Sequence, residues 1–321
     1  MKPSQHTLPV TRAADLVEPD PDCQWMIEKL WLRAAVGVIG AAPKSNKTHL
    51  ALDMALSVAT STPCLDTFPV RDPGRVLIYM AEDGEAAVKE RLLARCRHRE
   101  LALAGVPLYV ITAPSLRLDR DTDQMRLDNT IAGLHPTLVV LDPLVRLHAL
   151  NENDAGEISR LLGYLRDLQR SHLCSVVLVH HARKNGSSSG HGGQDLRGSS
   201  DIFAWVDSSL YLRRHKEHLT LVCEHRSAPA PDPLSLVLVS ADNPRQRGAH
   251  LQIVESPSAA DTEQQQLEDK VLALLATAPL SRAQIRSALA LRNERLGHLL
   301  ERLAVQGKIV HASHLWRLPF P

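Results

Sequence analysis

The stretch Val36–Thr48 reads VGVIGAAPKSNKT and decides the fold. A mostly apolar run leads into a loop of small residues and then Lys47-Thr48, and the segment that follows, His49–Thr60, has the pattern of a helix. A strand, a tight loop and a helix form the setting of a phosphate-binding loop, where backbone N–H groups and the helix N-terminus bind an anion. The stretch therefore predicts a phosphate-binding loop.

This loop departs from the pattern G-x-x-x-x-G-K-[ST] at both glycines. Asn46 stands at the second glycine, and Ala41 stands at the first, with Gly40 one residue early. The position before the Lys commonly needs a left-handed backbone, which Asn tolerates better than most other residues with a side chain. A surface turn capped by Thr48 is the alternative on this stretch alone, and the downstream residues decide between the two.

The predicted loop implies a nucleotide and a metal ion as ligands. Lys47 is expected to reach the β- and γ-phosphates of ATP, and the Thr48 hydroxyl is expected to ligate Mg²⁺. The predicted nucleotide-binding residues are Gly40, Pro43, Lys44, Ser45, Asn46, Lys47, Thr48 and His49.

Length and composition suit one large domain and one small domain. The 321 residues are 44% hydrophobic and 23% charged, as in ordinary globular proteins, and the aromatic content of 3% predicts an aliphatic core. The net charge of +1 favours no class of partner, so evidence for DNA binding must come from the charge of individual segments. Scattered cysteines, no signal-peptide pattern and no apolar run of membrane-spanning length predict a cytoplasmic protein without a membrane partner.

Apolar runs alternate with helical segments after the loop. The predicted strands are Arg75–Ala81, Pro107–Thr112, Thr137–Asp142 and Ser175–His181, and the predicted helices are Glu85–Ala104, Asp121–Leu134 and Asp154–Gln169. This alternation predicts an α/β fold with a mostly parallel, doubly wound sheet. Further strands are predicted at Ser208–Arg213, His218–Glu224, Ser235–Val239 and His250–Val254.

The chain divides into four predicted segments. They are a flexible arm (1–22), the α/β domain (23–254), a polar linker (255–266) and a small C-terminal domain (267–321). The last has helical patterns at Leu267–Thr277, Arg282–Ala290 and Asn293–Gln306, followed by a short hairpin. Three helices and a hairpin are typical of a winged helix-turn-helix.

The C-terminal segment carries a local excess of positive charge. Residues 280–321 hold seven Arg or Lys and two Glu, a net charge of +5. Such a face favours duplex DNA, with Arg292, Asn293 and Arg295 in the first turn of the recognition helix. Winged helices also dock proteins, which is the alternative.

Polar residues end four of the predicted strands. They are the Lys47-Thr48 loop, Glu82, Asp142 and the pair His180-His181. The carboxyl ends of parallel strands meet at one edge of the sheet, where such folds bind ligands. This set suits hydrolysis of a nucleoside triphosphate, with Lys47 and Mg²⁺ neutralising phosphate charge and Glu82 activating water.

The ordered motifs resemble the RepA-type ATPases, which are plasmid-replication helicases and their relatives in the RecA/KaiC-like P-loop superfamily. The resemblance covers roughly residues 24–239 and rests on AED (Ala81–Asp83), LVVLDPLVRLH (Leu138–His148), LVHHARK (Leu178–Lys184) and LRGSSDIFAW (Leu196–Trp205). It implies a RecA-type core in a ring hexamer, with ATP between subunits and single-stranded DNA in a central channel.

The same resemblance implies roles for individual residues. Glu82 would be the catalytic carboxylate, Asp142 the Mg²⁺-site aspartate and His181 the γ-phosphate sensor. Arg226 would be an arginine finger entering the neighbour's ATP site, although Glu224 replaces the Lys of the usual Lys-x-Arg pair. The Gly/Ser-rich stretch 183–198 would face DNA through Arg183, Lys184 and Arg197.

Three functions follow from these observations. The first is a DNA-dependent ATPase, a hexameric helicase or translocase. The second is a DNA-binding regulator whose core is a nucleotide-driven switch that hydrolyses ATP slowly and does not unwind DNA. The third is a small-molecule kinase, which the appended winged helix and the lack of an evident acceptor site disfavour.

Overall fold

The computed structural model describes residues 8, 10–16, 24–150, 155–181, 200–215, 218–240, 249–254, 259–289, 291, 293–312 and 314–319. The chain forms two compact units, Met1–Val254 and Glu255–Pro321. The larger unit opens with a short hairpin of β1 (Trp25–Ile27) and β2 (Trp31–Leu32). The Trp31 and Leu30 side chains of this hairpin are fully buried, as expected of apolar anchors that attach the segment to the core.

The larger unit is built on one nine-stranded sheet, in the order β11-β10-β9-β8-β3-β7-β6-β4-β5. Six neighbouring strands are parallel: β8 (Ser208–His215), β3 (Val36–Ala41), β7 (Ser175–His181), β6 (Leu138–Asp142), β4 (Val76–Met80) and β5 (Leu108–Val110). Three antiparallel strands extend it: β9 (His218–His225), β10 (Leu234–Ser240) and β11 (Ala249–Val254). The sheet is thus mostly parallel, as the apolar runs predict.

Helices cover both faces of the parallel strands. One face packs against α1 (Lys47–Thr60) and α2 (Glu85–His98). The other packs against α3 (Asp121–Leu134), α4 (Ala155–His172) and α5 (Ser200–Trp205). Residues of β3, β4, β6 and β7 alternate between these two cores, so both faces of the central strands are buried and their sequences read as continuous apolar runs.

Strand β3 lies at the centre of the sheet and carries a glycine that admits no side chain. A Cβ on Gly37 would lie 1.8 Å from the carbonyl oxygen of Ser208 on β8 and 2.8 Å from the ring of Trp31. The absence of a side chain therefore lets β8 and the β1–β2 hairpin close against β3, the strand that leads into the predicted phosphate loop.

Helix α2 is shorter than its sequence predicts. It ends at His98 instead of Ala104, because Glu100 takes a left-handed conformation (φ 55°). The Leu101 N–H donates to the Cys96 carbonyl over 2.8 Å, and the Glu100 N–H donates to the Arg97 carbonyl over 3.2 Å. This pair of bonds is a Schellman ending, with Glu100 where glycine is usual.

The predicted linker 255–266 is wrong over most of its length. Helix α6 runs Ala259–Thr277 and begins eight residues before the predicted Leu267. The reason is composition, since the residues before Leu267 (AADTEQQQ) lack Gly and Pro and include good helix formers, so a polar sequence still forms a helix. Of the predicted arm 1–22, residues 1–7, 9 and 17–22 lie outside the described part, and Ala13–Asp15 forms a 3₁₀ turn.

The smaller unit contains helix α6, α7 (Arg282–Leu289), α8 (Asn293–Val305) and a hairpin of β12 (Val310–Ala312) and β13 (Leu315–Arg317). Its own apolar core includes Val271, Ile285 and Leu299. A buried carboxylate, Glu268, lies 2.8 Å from Arg302 and 3.3 Å from Lys308.

Across the described ranges, no helix combines the length and the hydropathy that a membrane span requires.

Candidate functional site

The four strands that end in polar residues are neighbours in the sheet. In the order β3-β7-β6-β4, Ala41 pairs with His181 and Met80 pairs with Asp142. Parallel pairing brings all four carboxyl ends to one edge. The chain leaves β3 there for the predicted phosphate loop and leaves β4 for Glu82.

The loop after β3 has the backbone that its sequence predicts. Asn46 is left-handed, with φ 61° and ψ 25°, and Lys44 is left-handed as well, with φ 62°. Helix α1 begins at Lys47, two residues before the predicted His49. Both Lys47 and Thr48 therefore belong to the first turn, whose free N–H groups and positive dipole end favour an anion.

The Lys47 side chain is buried at this edge. Its ammonium donates to the carbonyls of Ala41 and Ala42 over 3.1 and 3.0 Å. It also lies 3.1 Å from His181 Nδ1, which must accept because an ammonium group has no lone pair. Burial lowers the pKa of Lys47, while the charges of Asp142 and Glu82 act in the opposite direction.

Thr48 and Asp142 place two oxygen atoms beside each other. The Thr48 hydroxyl donates to an Asp142 carboxylate oxygen over 2.6 Å. Burial raises the pKa of Asp142 to about 6, and the hydrogen bond from Thr48 opposes this rise. A divalent cation at this position would compensate the buried negative charge, and Mg²⁺ takes oxygen ligands.

The side chains at this position suit Mg²⁺ better than a metal ion that takes all its ligands from the protein. Among the described residues, no three His, Cys, Asp or Glu side chains form a metal-binding group. Mg²⁺ is usually held by one or two protein oxygens, with phosphates and waters completing its coordination. Thr48 and Asp142 fit that pattern.

Two carboxylates after β4 are paired with arginines that the sequence analysis did not single out. Glu82 accepts from Arg146 Nε over 2.9 Å, and Asp83 accepts from Arg91. Sequence spacing gave no sign of the first pair, since its members are 64 residues apart. Arg91, two turns into α2, was detectable as a basic residue on the helix that follows Glu82.

A cavity of about 280 Å³ opens between these groups. It is lined by the predicted residues Lys44, Ser45, Asn46, Lys47, Thr48, His49, Glu82, Asp142 and His181, together with Met80, Asp83, Arg91 and Pro143. Two predicted binding residues are not in the lining, since Gly40 lies within β3 and Pro43 is exposed at the start of the loop.

Arginine side chains also lie close to the loop and to the first turn of α1. Burial, together with the positive charges of Arg95 and Arg91, lowers the pKa of His49 to about 4. Arg214, near the end of the parallel strand β8, donates to the Lys44 carbonyl over 3.2 Å. The predicted strand ends at Arg213, so the sequence alone does not indicate the contact between Arg214 and the loop.

Arg226 is not part of this cavity. It follows β9, which runs antiparallel to β8, and its N–H donates to the Asp207 carbonyl just before β8 begins. Its guanidinium donates to the Ala204 carbonyl and lies 3.5 Å from an Asp207 carboxylate oxygen. Arg226 is therefore at the opposite edge of the sheet, about 17 Å along the strands from the phosphate loop.

The predicted DNA-binding residues cannot be placed as a group. Arg183, Lys184, Arg197 and Arg292 lie outside the described residues. Asn293 and Arg295 lie in the first turn of α8, where the structure describes the backbone.

Known structures share the α/β core of the larger unit. The RadB recombinase is 19% identical, with a TM-score of 0.50, over 70% of this chain and 92% of that chain. A DnaB-like replicative helicase is 16% identical, with a TM-score of 0.52, over 68% of this chain and 59% of that chain. These likenesses establish a RecA-like fold.

The sequence itself matches a family of AAA domains, AAA_25, over residues 2–187, which is more than half of the 321 residues. The match includes the phosphate loop, Glu82, Asp142 and His181. The chain therefore belongs to this AAA domain family and is a P-loop ATPase with a RecA-like core.

Proposed function

We propose that this protein is a DNA-dependent ATPase of the RepA type, which hydrolyses ATP at the interfaces of a ring hexamer. One observation carries the proposal. Lys47, Thr48, Glu82, Asp142 and His181 surround a single cavity at the mouth of the phosphate loop. Nucleotide binding needs the loop alone, whereas efficient hydrolysis also needs a carboxylate that can accept a proton from water.

Each group has a defined task in this mechanism. Thr48 and Asp142 would hold Mg²⁺, which neutralises charge on the transferring phosphoryl group. Lys47 would leave the carbonyls and His181 to bind the β/γ-phosphates. Glu82 would orient the attacking water and accept its proton.

His181 links the nucleotide to the segment that follows β7. Its Nδ1 accepts a hydrogen bond from Lys47 over 3.1 Å. When a phosphate binds the Lys47 ammonium, this nitrogen therefore loses its hydrogen-bond donor. We propose that His181, once this nitrogen carries a proton, donates to the γ-phosphate and signals its presence to residues 183–198, which would contact single-stranded DNA through Arg183, Lys184 and Arg197.

The smaller unit is proposed to be a winged helix that binds duplex DNA. Support comes from its three helices and hairpin, and from Asn293 and Arg295 in the first turn of α8. Its basic character is weaker than the local sequence suggests, because Arg302 and Lys308 are paired with Glu268 outside the counted segment. DNA contact would rest chiefly on the residues near the start of α8.

Steady-state ATP hydrolysis with and without single-stranded DNA tests the function. Turnover should rise strongly when DNA is added, because a DNA motor couples hydrolysis to the polymer that it moves along. Slow turnover that is indifferent to DNA would support the second candidate, an ATP-switched DNA-binding protein. The departures of Asn46 and Glu224 from the usual motifs are the observations that favour that candidate.

The proposed arginine finger makes a separate prediction. Arg226→Ala should lower turnover about 10³-fold or more, the effect of an arginine finger, because its guanidinium would contact ATP bound to the next subunit. A finger acts between chains, so mixing Arg226→Ala with inactive Glu82→Gln should restore activity at mixed interfaces. Arg213→Ala, on the adjacent strand β8, is the matched control.

The mixing experiment has a clear negative result. If no ratio of the two variants restores hydrolysis while both still associate with wild-type protein, Arg226 does not act in trans. The role of Arg226 would then be limited to its contacts with Ala204 and Asp207 in its own chain.

A further inference from the structure

The ion pair between Arg146 and Glu82 lies at the edge of the candidate catalytic cavity. Arg146 Nε is 2.9 Å from Glu82 Oε1, and the two side chains are 62% and 47% exposed. Glu82 lines the cavity, whereas Arg146 is not among its lining residues. Arg146 therefore reaches the carboxylate from outside the space that would hold the nucleotide.

The backbone that carries Arg146 is well anchored. It ends a 3₁₀ turn, Leu144–Arg146, that begins directly after Asp142-Pro143. On the far side of the turn, the Leu118 N–H donates to the Leu147 carbonyl over 2.6 Å, and Arg117 donates to the His148 carbonyl over 2.7 Å. The side chain of Arg146 thus extends from a fixed position next to the proposed Mg²⁺ ligand Asp142.

The pairing has a chemical consequence for Glu82. A general base must offer a free lone pair to the attacking water, at hydrogen-bonding distance. The guanidinium occupies a lone pair of Glu82 Oε1 and fixes the direction of the carboxylate. The attacking water can then bind only to the remaining lone pairs, in the directions that the ion pair allows, so the carboxylate is less free to align with it.

We propose that Arg146 is a positioning residue that restrains Glu82 and holds turnover down. The inference rests on the proposed function, in which Glu82 is the general base. Because the pair is half-exposed, its removal should have a modest effect, an increase of about two- to fivefold in kcat. The KM for ATP should stay unchanged, since Arg146 lies outside the cavity.

Three variants test the proposal in the full-length protein. Arg146→Gln should raise kcat without DNA about two- to fivefold at constant KM. Arg146→Lys, which can still donate to Glu82, should stay near the wild-type rate. Arg120→Gln removes an exposed arginine from the loop before α3 and is the matched control, with no expected change.

The variant Glu82→Gln identifies the route of the effect. If Arg146 acts through the Glu82 carboxylate, Arg146→Gln should give no increase when it is combined with Glu82→Gln. A fall or no change in kcat for Arg146→Gln alone would overturn the proposal, as would an equal increase in the Glu82→Gln background.

Failure of the inference differs from failure of the proposed function. If Lys47→Ala removes ATP turnover but Arg146→Gln leaves it unchanged, only the restraint is wrong. If the wild-type protein does not hydrolyse ATP, or if the Lys47→Ala variant hydrolyses it at the wild-type rate, the proposed function is wrong. The proposed restraint of Glu82 by Arg146 is then wrong as well.

Discussion

Lys47→Ala should lower kcat/KM for ATP at least about 100-fold, the scale expected when one preorganised electrostatic group is removed from an active site. The Lys47 ammonium is buried in the first turn of α1 and lines the cavity with Asp142 and Glu82. In a site shielded from water, its attraction for phosphate is stronger than that of an exposed cation. Binding of ATP should therefore weaken together with hydrolysis.

The same loop provides a matched control for Lys47→Ala. Lys44 lines the cavity but is exposed, so Lys44→Ala removes an equal charge with a much smaller expected loss. Thermal unfolding should accompany both measurements, because Lys47 also donates to the carbonyls of Ala41 and Ala42. If a folded Lys47→Ala protein hydrolyses ATP at the wild-type rate, the assignment of this loop as a phosphate-binding loop is wrong.

Glu82→Gln should separate binding from chemistry. Glutamine keeps the size of the side chain and can still accept from Arg146, but it cannot take a proton from water. Turnover should fall by about 10²- to 10⁴-fold, the range of general-base contributions, with ATP affinity close to that of wild type. Single-turnover hydrolysis and equilibrium ATP binding measure the two quantities independently.

The adjacent carboxylate is the control for this experiment. Asp83→Asn removes the same charge one residue along the chain, where Asp83 is paired with Arg91. Its loss should be smaller, because the pairing assigns Asp83 to holding Arg91 at the cavity wall. If Asp83→Asn is inactive and Glu82→Gln keeps full turnover, the base is Asp83.

Much of the core could be predicted because its signals are local. The run SVVLVHH gives β7 with its bounds correct, since a strand buried on both faces needs apolar residues throughout. Asn46 is left-handed as predicted, because few residues with a side chain tolerate that conformation. Parallel pairing explains why Glu82, Asp142 and His181 meet although they are far apart in sequence.

The remaining features depend on tertiary contacts that cannot be predicted from a single sequence. The ion pair of Arg146 with Glu82 requires knowledge of where the turn after β6 lies relative to the end of β4. The early end of α2 depends on one left-handed residue, Glu100, for which the sequence offers no glycine. The pairing of Glu268 with Arg302 and Lys308 joins the predicted helix Leu267–Thr277 to two residues counted as part of the basic face.

The antiparallel course of β9 constrains how copies of this chain can assemble. It brings Arg226 to one edge of the sheet, while the phosphate loop opens at the other. A two-fold symmetric dimer places Arg226 of each copy against the phosphate loop of the other only if both groups lie in the one shared interface. A head-to-tail contact joins the two different edges and leaves one of each free for the next copy, which yields a closed ring or an open helical filament.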